Sequence, residues 1–114
     1  MKESSLARWS IAELRRAGFY CVKISPPVED GTPDILGCAH GVFFGIELKR
    51  PGKKARKNQQ WRATQILGSG GLCFIASKRM DVRSIILTLQ TMRKSNISIP
   101  SSPFMQQPVS PSDL

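Results

Sequence analysis

The stretch VFFGIELK, residues 42–49, constrains the fold of this chain more than any other. Side chains alternate across a strand, so Val42, Phe44, Ile46 and Leu48 share one face and Phe43, Gly45, Glu47 and Lys49 share the other. The first face is wholly apolar and β-prone, as a core strand requires. The second carries a carboxylate and an ammonium about 6.6–6.8 Å apart along the backbone. Charge on an otherwise good core strand is costly unless it is paired or bound to a metal. An ordinary ion pair on a half-exposed sheet meets that requirement, and so does a site of chemistry.

The pattern around this strand predicts an α/β domain. Residues 4–18 read as a helix, with Leu6, Ala7, Ile11 and Leu14 at helical spacing and Gly18 as its stop. FYCVKI (19–24) reads as a strand, and SPPVEDGTP (25–33) as a loop. DILGCA (34–39) and VFFGIELK form a hairpin about a short Ala-His-Gly turn. RPGKKARK (50–57) is a basic loop, after which Asn58 is placed to cap a helix ending at Gly68, Gly70 and Gly71. Trp61 on that helix reads as core. LCFIAS (72–77) is a fourth strand, and Asp81 is placed to cap a last helix with the stripe Ile85, Ile86, Leu89 and Met92. The order α-β-β-β-α-β-α implies a small mixed sheet flanked by helices over residues 1–95. Residues 96–114 hold four of the eight prolines and almost no periodicity, and are expected to form a flexible Pro/Ser-rich tail.

Charge is the strongest compositional signal. Seventeen Lys and Arg face eight Asp and Glu, a net of +9. Between Glu47 and Asp81 there is no acid, while Lys49, Arg50, Lys53, Lys54, Arg56, Lys57, Arg62, Lys78 and Arg79 all fall in that window. Such a one-signed cluster attracts polyanions, nucleic acid above all, through counterion release. A membrane surface fits less well, because the basic loop lacks the apolar face of an interfacial helix. No apolar run approaches the ~20 residues of a membrane span, and no secretory segment is evident, so an intracellular protein is expected. Cys21, Cys38 and Cys73 form no CxxC pair and read as small buried hydrophobes.

Asp34 opens the strand before the hairpin turn, where it can approach Glu47 across the ladder. Two converging carboxylates repel, and a hard divalent cation relieves that repulsion, with Mg²⁺ keeping several of its waters. A lysine beside such a site can hold a water or stabilise charge on a phosphate. Alone, Asp34 would be a turn residue and Glu47–Lys49 a surface ion pair; together with the basic loop they favour a metal site.

Gly31-x-Pro33-Asp34, then Ile46-Glu47-Leu48-Lys49, then Pro51, a helix glutamine and a Gly-Gly before an apolar strand resemble the VRR-NUC nucleases of the PD-(D/E)xK superfamily. The likeness spans roughly residues 3–78. It implies a restriction-endonuclease-like fold and a Mg²⁺- or Mn²⁺-dependent endodeoxyribonuclease with no nucleotide cofactor. Asp34 and Glu47 would bind the metal with the backbone carbonyl of Leu48, Glu3 would support it, and Lys49 would position or activate water. Gln59, or Gln60 as runner-up, would brace the lysine or the scissile phosphate. Arg50, Lys53, Lys54, Arg56, Lys57 and Arg62 would grip DNA phosphates. Small stand-alone members resemble phage and bacterial resolvases, which implies four-way junctions, a homodimer, a role in DNA repair and the cytoplasm of a bacterial or phage-infected cell. A flap or nicking nuclease and a non-catalytic nucleic-acid-binding protein stay open as alternatives.

Overall fold

The structure is a computed structural model that describes residues 3–26 and 28–92, with side chains from Ser5 onward. The fold is α/β. Three helices and four strands follow in the expected order: α1 (Glu3–Arg16), β1 (Tyr20–Lys23), β2 (Ile35–Ala39), β3 (Val42–Leu48), α2 (Lys57–Gly68), β4 (Leu72–Ala76) and α3 (Arg79–Thr91). The sheet runs β1-β2-β3-β4. Its first three strands are antiparallel neighbours and β4 joins β3 in parallel, so the sheet is mixed. The 96–114 tail lies outside the described residues. Among the described residues no helix is long and apolar enough to cross a membrane.

The β2–β3 hairpin closes through His40 and Gly41, with φ of 53° and 81°. Two central residues of positive φ twist the turn in the sense that the paired strands require. Ala39 thereby pairs with Val42, and the register carries through to Ile35 opposite Ile46.

The alternation of β3 divides the molecule. Phe44, Ile46 and Leu48 are buried beneath α1 and α3, against Leu6, Ala7 and Leu14 from the first helix and Val82, Ile85 and Leu89 from the last. The guanidinium groups of Arg79 and Arg83 lie over Trp9, 5.0 and 5.4 Å from its ring centroid, and tie the two helices together outside the core. On the opposite face α2 stands alone. Its one buried residue is Gln59, and Trp61, expected in the core, is 57% exposed with Arg62 over its ring. Cys21 is buried as expected, but Cys38 is exposed because it points to the face that α2 leaves uncovered.

Both expected helix caps differ. The N-cap of α2 is Arg56, and the Asn58 amide is drawn away to Asp30, 28 residues distant in sequence. Helix α3 starts at Arg79, with Asp81 inside its first turn. The Asp81 carboxylate reaches back to accept from the N–H groups of Ser77 (2.8 Å) and Lys78 (3.2 Å), so it satisfies the helix start from within.

Candidate metal and phosphate site

Extending the β2–β3 register by one pair beyond Ile35–Ile46 sets Asp34 opposite Glu47 on the α2 face of the sheet. Asp34 is held from three sides. Its backbone carbonyl accepts from the Ile24 N–H at 2.8 Å, which lengthens the β1–β2 ladder. Its Oδ2 accepts from the Leu48 N–H at 2.7 Å, which fixes the carboxylate against β3. The preceding Pro33 is buried over Gly45, where a Cβ would sit 2.8 Å from Pro33 Cγ. Gly45 is therefore what lets the Pro-Asp step lie flat on the strand. Glycine in mid-strand was the available signal for this contact.

Glu47 is braced from the helix side. Gln59 Nε2 donates to Glu47 Oε1 at 2.9 Å, and Gln59 Oε1 accepts from the Arg56 N–H at 2.9 Å. One amide thus closes the first turn of α2 and orients the carboxyl, and the two partners together allow only one orientation of it. The side-chain partner of Gln59 here is Glu47 rather than Lys49. Gln60 turns away and donates to the Ala55 carbonyl at 2.8 Å.

The other carboxyl oxygen, Glu47 Oε2, is buried and has no hydrogen-bond partner among the described residues. An open space of about 180 Å³ beside it is walled largely by Ala55, Ala63, Leu67, Phe74 and Ile75. This apolar wall withholds solvent, and burial is the main reason that the Glu47 pKa rises from 4.5 to about 8. The charge of Asp34 and its hydrogen bonding push in the same direction, while Lys49 and Arg56 pull against them. Cys73, opposite Gly45 on β4, is raised first by burial and then by the charge of Glu47, so it stays a neutral thiol.

Lys49 lies just past the end of β3, pinned by its N–H to the Ala76 carbonyl at 2.9 Å. Its ammonium is near enough to favour ionised Glu47, and it makes no ion pair within 4 Å among the described residues. At Leu48 the polar contact formed is through the N–H, to Asp34. The side chain of Glu3 lies outside the described residues.

The basic cluster divides into two parts. Arg50, Lys53, Lys54 and Lys57 are exposed and enter no ion pair among the described residues. Arg62 is committed to the 29–31 loop, bridging Glu29 at 2.9 Å and donating to the Asp30 carbonyl at 3.1 Å. Arg56 stands 4.0 Å from Asp30. These contacts, missed in the sequence because they join distant segments, dock the N-terminal turn of α2 on the loop that delivers Asp34. Gly31, at φ +85°, completes the seam, because a Cβ there would collide with the Asn58 carbonyl.

No protein-family model matches the chain, and no curated protein matches it.

Among the described residues no group of three or more His, Cys, Asp or Glu side chains is disposed to hold a metal ion. Asp34 and Glu47 form a pair. A pair fits Mg²⁺ or Mn²⁺, since Mg²⁺ commonly takes one or two carboxylates and keeps water in its remaining positions. The unpartnered Glu47 Oε2 and the mutual repulsion of the two carboxylates are both relieved by such an ion.

Proposed function

We infer that this chain is a divalent-metal-dependent, structure-specific endodeoxyribonuclease, similar to the VRR-NUC nucleases of the PD-(D/E)xK superfamily. Its substrate is branched DNA, four-way junctions first, cut by a homodimer. One observation carries the reading: Glu47 Oε2 is buried without a partner among the described residues and set against Asp34, with Lys49 beside them and a basic loop following. A mere binding surface has no need of that arrangement.

Asp34 and Glu47 would hold Mg²⁺ or Mn²⁺, which when bound polarises a phosphate oxygen and acidifies water. Gln59 keeps the Glu47 carboxylate oriented through the bond at 2.9 Å. Lys49 holds the attacking water or stabilises the charge that builds on the phosphate as water adds in line and the leaving oxygen departs. Arg50, Lys53, Lys54 and Lys57 grip neighbouring phosphates and fix register without reading bases. A two-fold junction calls for two symmetry-related sites, and the exposed Met80 and Leu87 on α3 supply apolar surface for pairing.

The test is cleavage of a labelled four-way junction beside a matched duplex, a flap and a single strand, with Mg²⁺, Mn²⁺ or chelator. Paired metal-dependent cuts on the junction, abolished in Lys49→Ala, are expected. Cuts confined to the flap would keep the nuclease and discard the resolvase. Tight binding with no cutting in either metal would overturn the enzyme.

A further inference from the structure

Three cations on the α1 side of the sheet take no part in the Asp34–Glu47 site. Arg8, Ile11 and Arg15 follow at helical spacing along one face of α1. Arg15 reaches across to β1 and donates to the Cys21 carbonyl at 3.1 Å. The Cys21 thiol points back at the Ile11 carbonyl, 3.8 Å away, so Cys21 faces α1. Lys23, two residues on, faces the same way. Arg8, Ile11, Arg15 and Lys23 together line a concavity of about 380 Å³ with an apolar floor and three cationic walls. Among the described residues no acid lines it, and none of the ion pairs includes any of the three cations. The nearby Glu13 is turned to Arg16 at 2.7 Å.

Its position matters as much as its charge. Lys23 pairs with Ile35, the residue after Asp34, and the N–H of Ile24, just past β1, bonds the Asp34 carbonyl. The concavity therefore opens at the carboxylate end of the sheet, but on the α1 face. The basic loop adjoins the same end, next to α2 on the other face. The carboxylates are thus flanked by cations across the thickness of the sheet.

We propose that Arg8, Arg15 and Lys23 form a second phosphate-binding surface, which takes a second duplex arm of a branched DNA while the first arm lies along Arg50–Lys57. This rests on the nuclease reading for the identity of the polyanion. A straight duplex held by the loop leaves the α1 side empty, whereas a junction can send one arm to each side. The surface accordingly contributes to affinity for branched DNA and not for linear DNA.

The experiment compares wild type with an Arg8→Gln/Lys23→Gln double variant; Arg15 is left intact because it anchors β1. Binding to a labelled four-way junction and to a duplex of matched arm length is measured by anisotropy in Ca²⁺, between about 50 and 200 mM salt. Removing one phosphate-neutralising side chain flattens the dependence of log K on log salt by about 1. The double variant should therefore flatten the junction slope by about 2 and leave the duplex slope unchanged. The charge-keeping Arg8→Lys/Lys23→Arg variant should behave as wild type. An unchanged junction slope, equal weakening on duplex and junction, or weakening in the charge-keeping variant would each overturn the proposal. So would wild type that ignores DNA and binds anionic vesicles. Failure of the nuclease reading is seen separately, as wild type that binds the junction yet never cuts it with Mg²⁺ or Mn²⁺.

Discussion

Replacing Glu47 with Gln should stabilise the metal-free protein in alkaline solution and leave it nearly unchanged in acid. The wild-type carboxyl has its pKa raised from 4.5 to about 8, by burial first and by Asp34 next. Between those values the folded chain keeps a proton that the unfolded chain has released. Stability thus falls as pH rises through this window, and the penalty is complete above about pH 8. Each pH unit across it is worth about 1.4 kcal/mol, so the full rise corresponds to about 5 kcal/mol. Glu47 is half-buried rather than enclosed, and Gln59 still donates to the ionised oxygen, so about 2–3 kcal/mol should survive. Urea unfolding of wild type and Glu47→Gln in chelator at pH 4.5 and pH 9 measures this, and the difference between the two proteins cancels the titrating groups that do not interact with Glu47. Glu47→Gln should lead by about 2–3 kcal/mol at pH 9 and by well under 1 kcal/mol at pH 4.5. Added Mg²⁺ at pH 9 should recover wild type and leave the variant unmoved. A lead independent of pH would refute the account of a crowded, desolvated carboxylate pair.

Lys49→Ala should lower junction cleavage by about 10²–10⁴-fold while junction binding in Ca²⁺ changes little, read from single-turnover rates and anisotropy. Gly45→Ala should drive Pro33, and with it Asp34, off β3, costing about 1–3 kcal/mol in urea unfolding and weakening Mg²⁺ binding measured by calorimetry. Gln59→Ala frees Glu47 Oε1 and the Arg56 N–H together, so it should cost about 1–3 kcal/mol and reduce cleavage more than Gln60→Ala does.

Periodicity made most of this architecture legible. The alternation of residues 42–49 and the helical spacing of Leu6, Leu14, Ile85 and Leu89 report a solvent boundary, and burial in a single core follows from them directly. The approach of Asp34 to Glu47 was legible for the same reason, since a two-residue turn fixes the hairpin register. What stayed hidden depends on partners far away in the chain. Asn58 has the chemistry of a helix cap, but Asp30 competes for its amide and wins. Trp61 looks like core until the sheet face beneath α2 proves to be carrying the polar site. Gln59 could be picked from its spacing, but its attachment to Glu47 could not, because only the packing of α2 on β3 brings them together.

Helix α2 fully buries only Gln59; Ala63 and Ile66 are half-buried, and its start is held by the Asp30 and Glu29 contacts and by the seam at Gly31. Its hold on the domain is therefore thinner than that of α1 and α3, whereas β2 and β3 belong to the core. In hydrogen exchange, the amides of 57–68 should open well below the free energy of global unfolding, while those of β2 and β3 exchange only with the whole domain. On that expectation the carboxylate pair belongs to the most durable part of the fold, while its orienting amide comes from the element expected to open first.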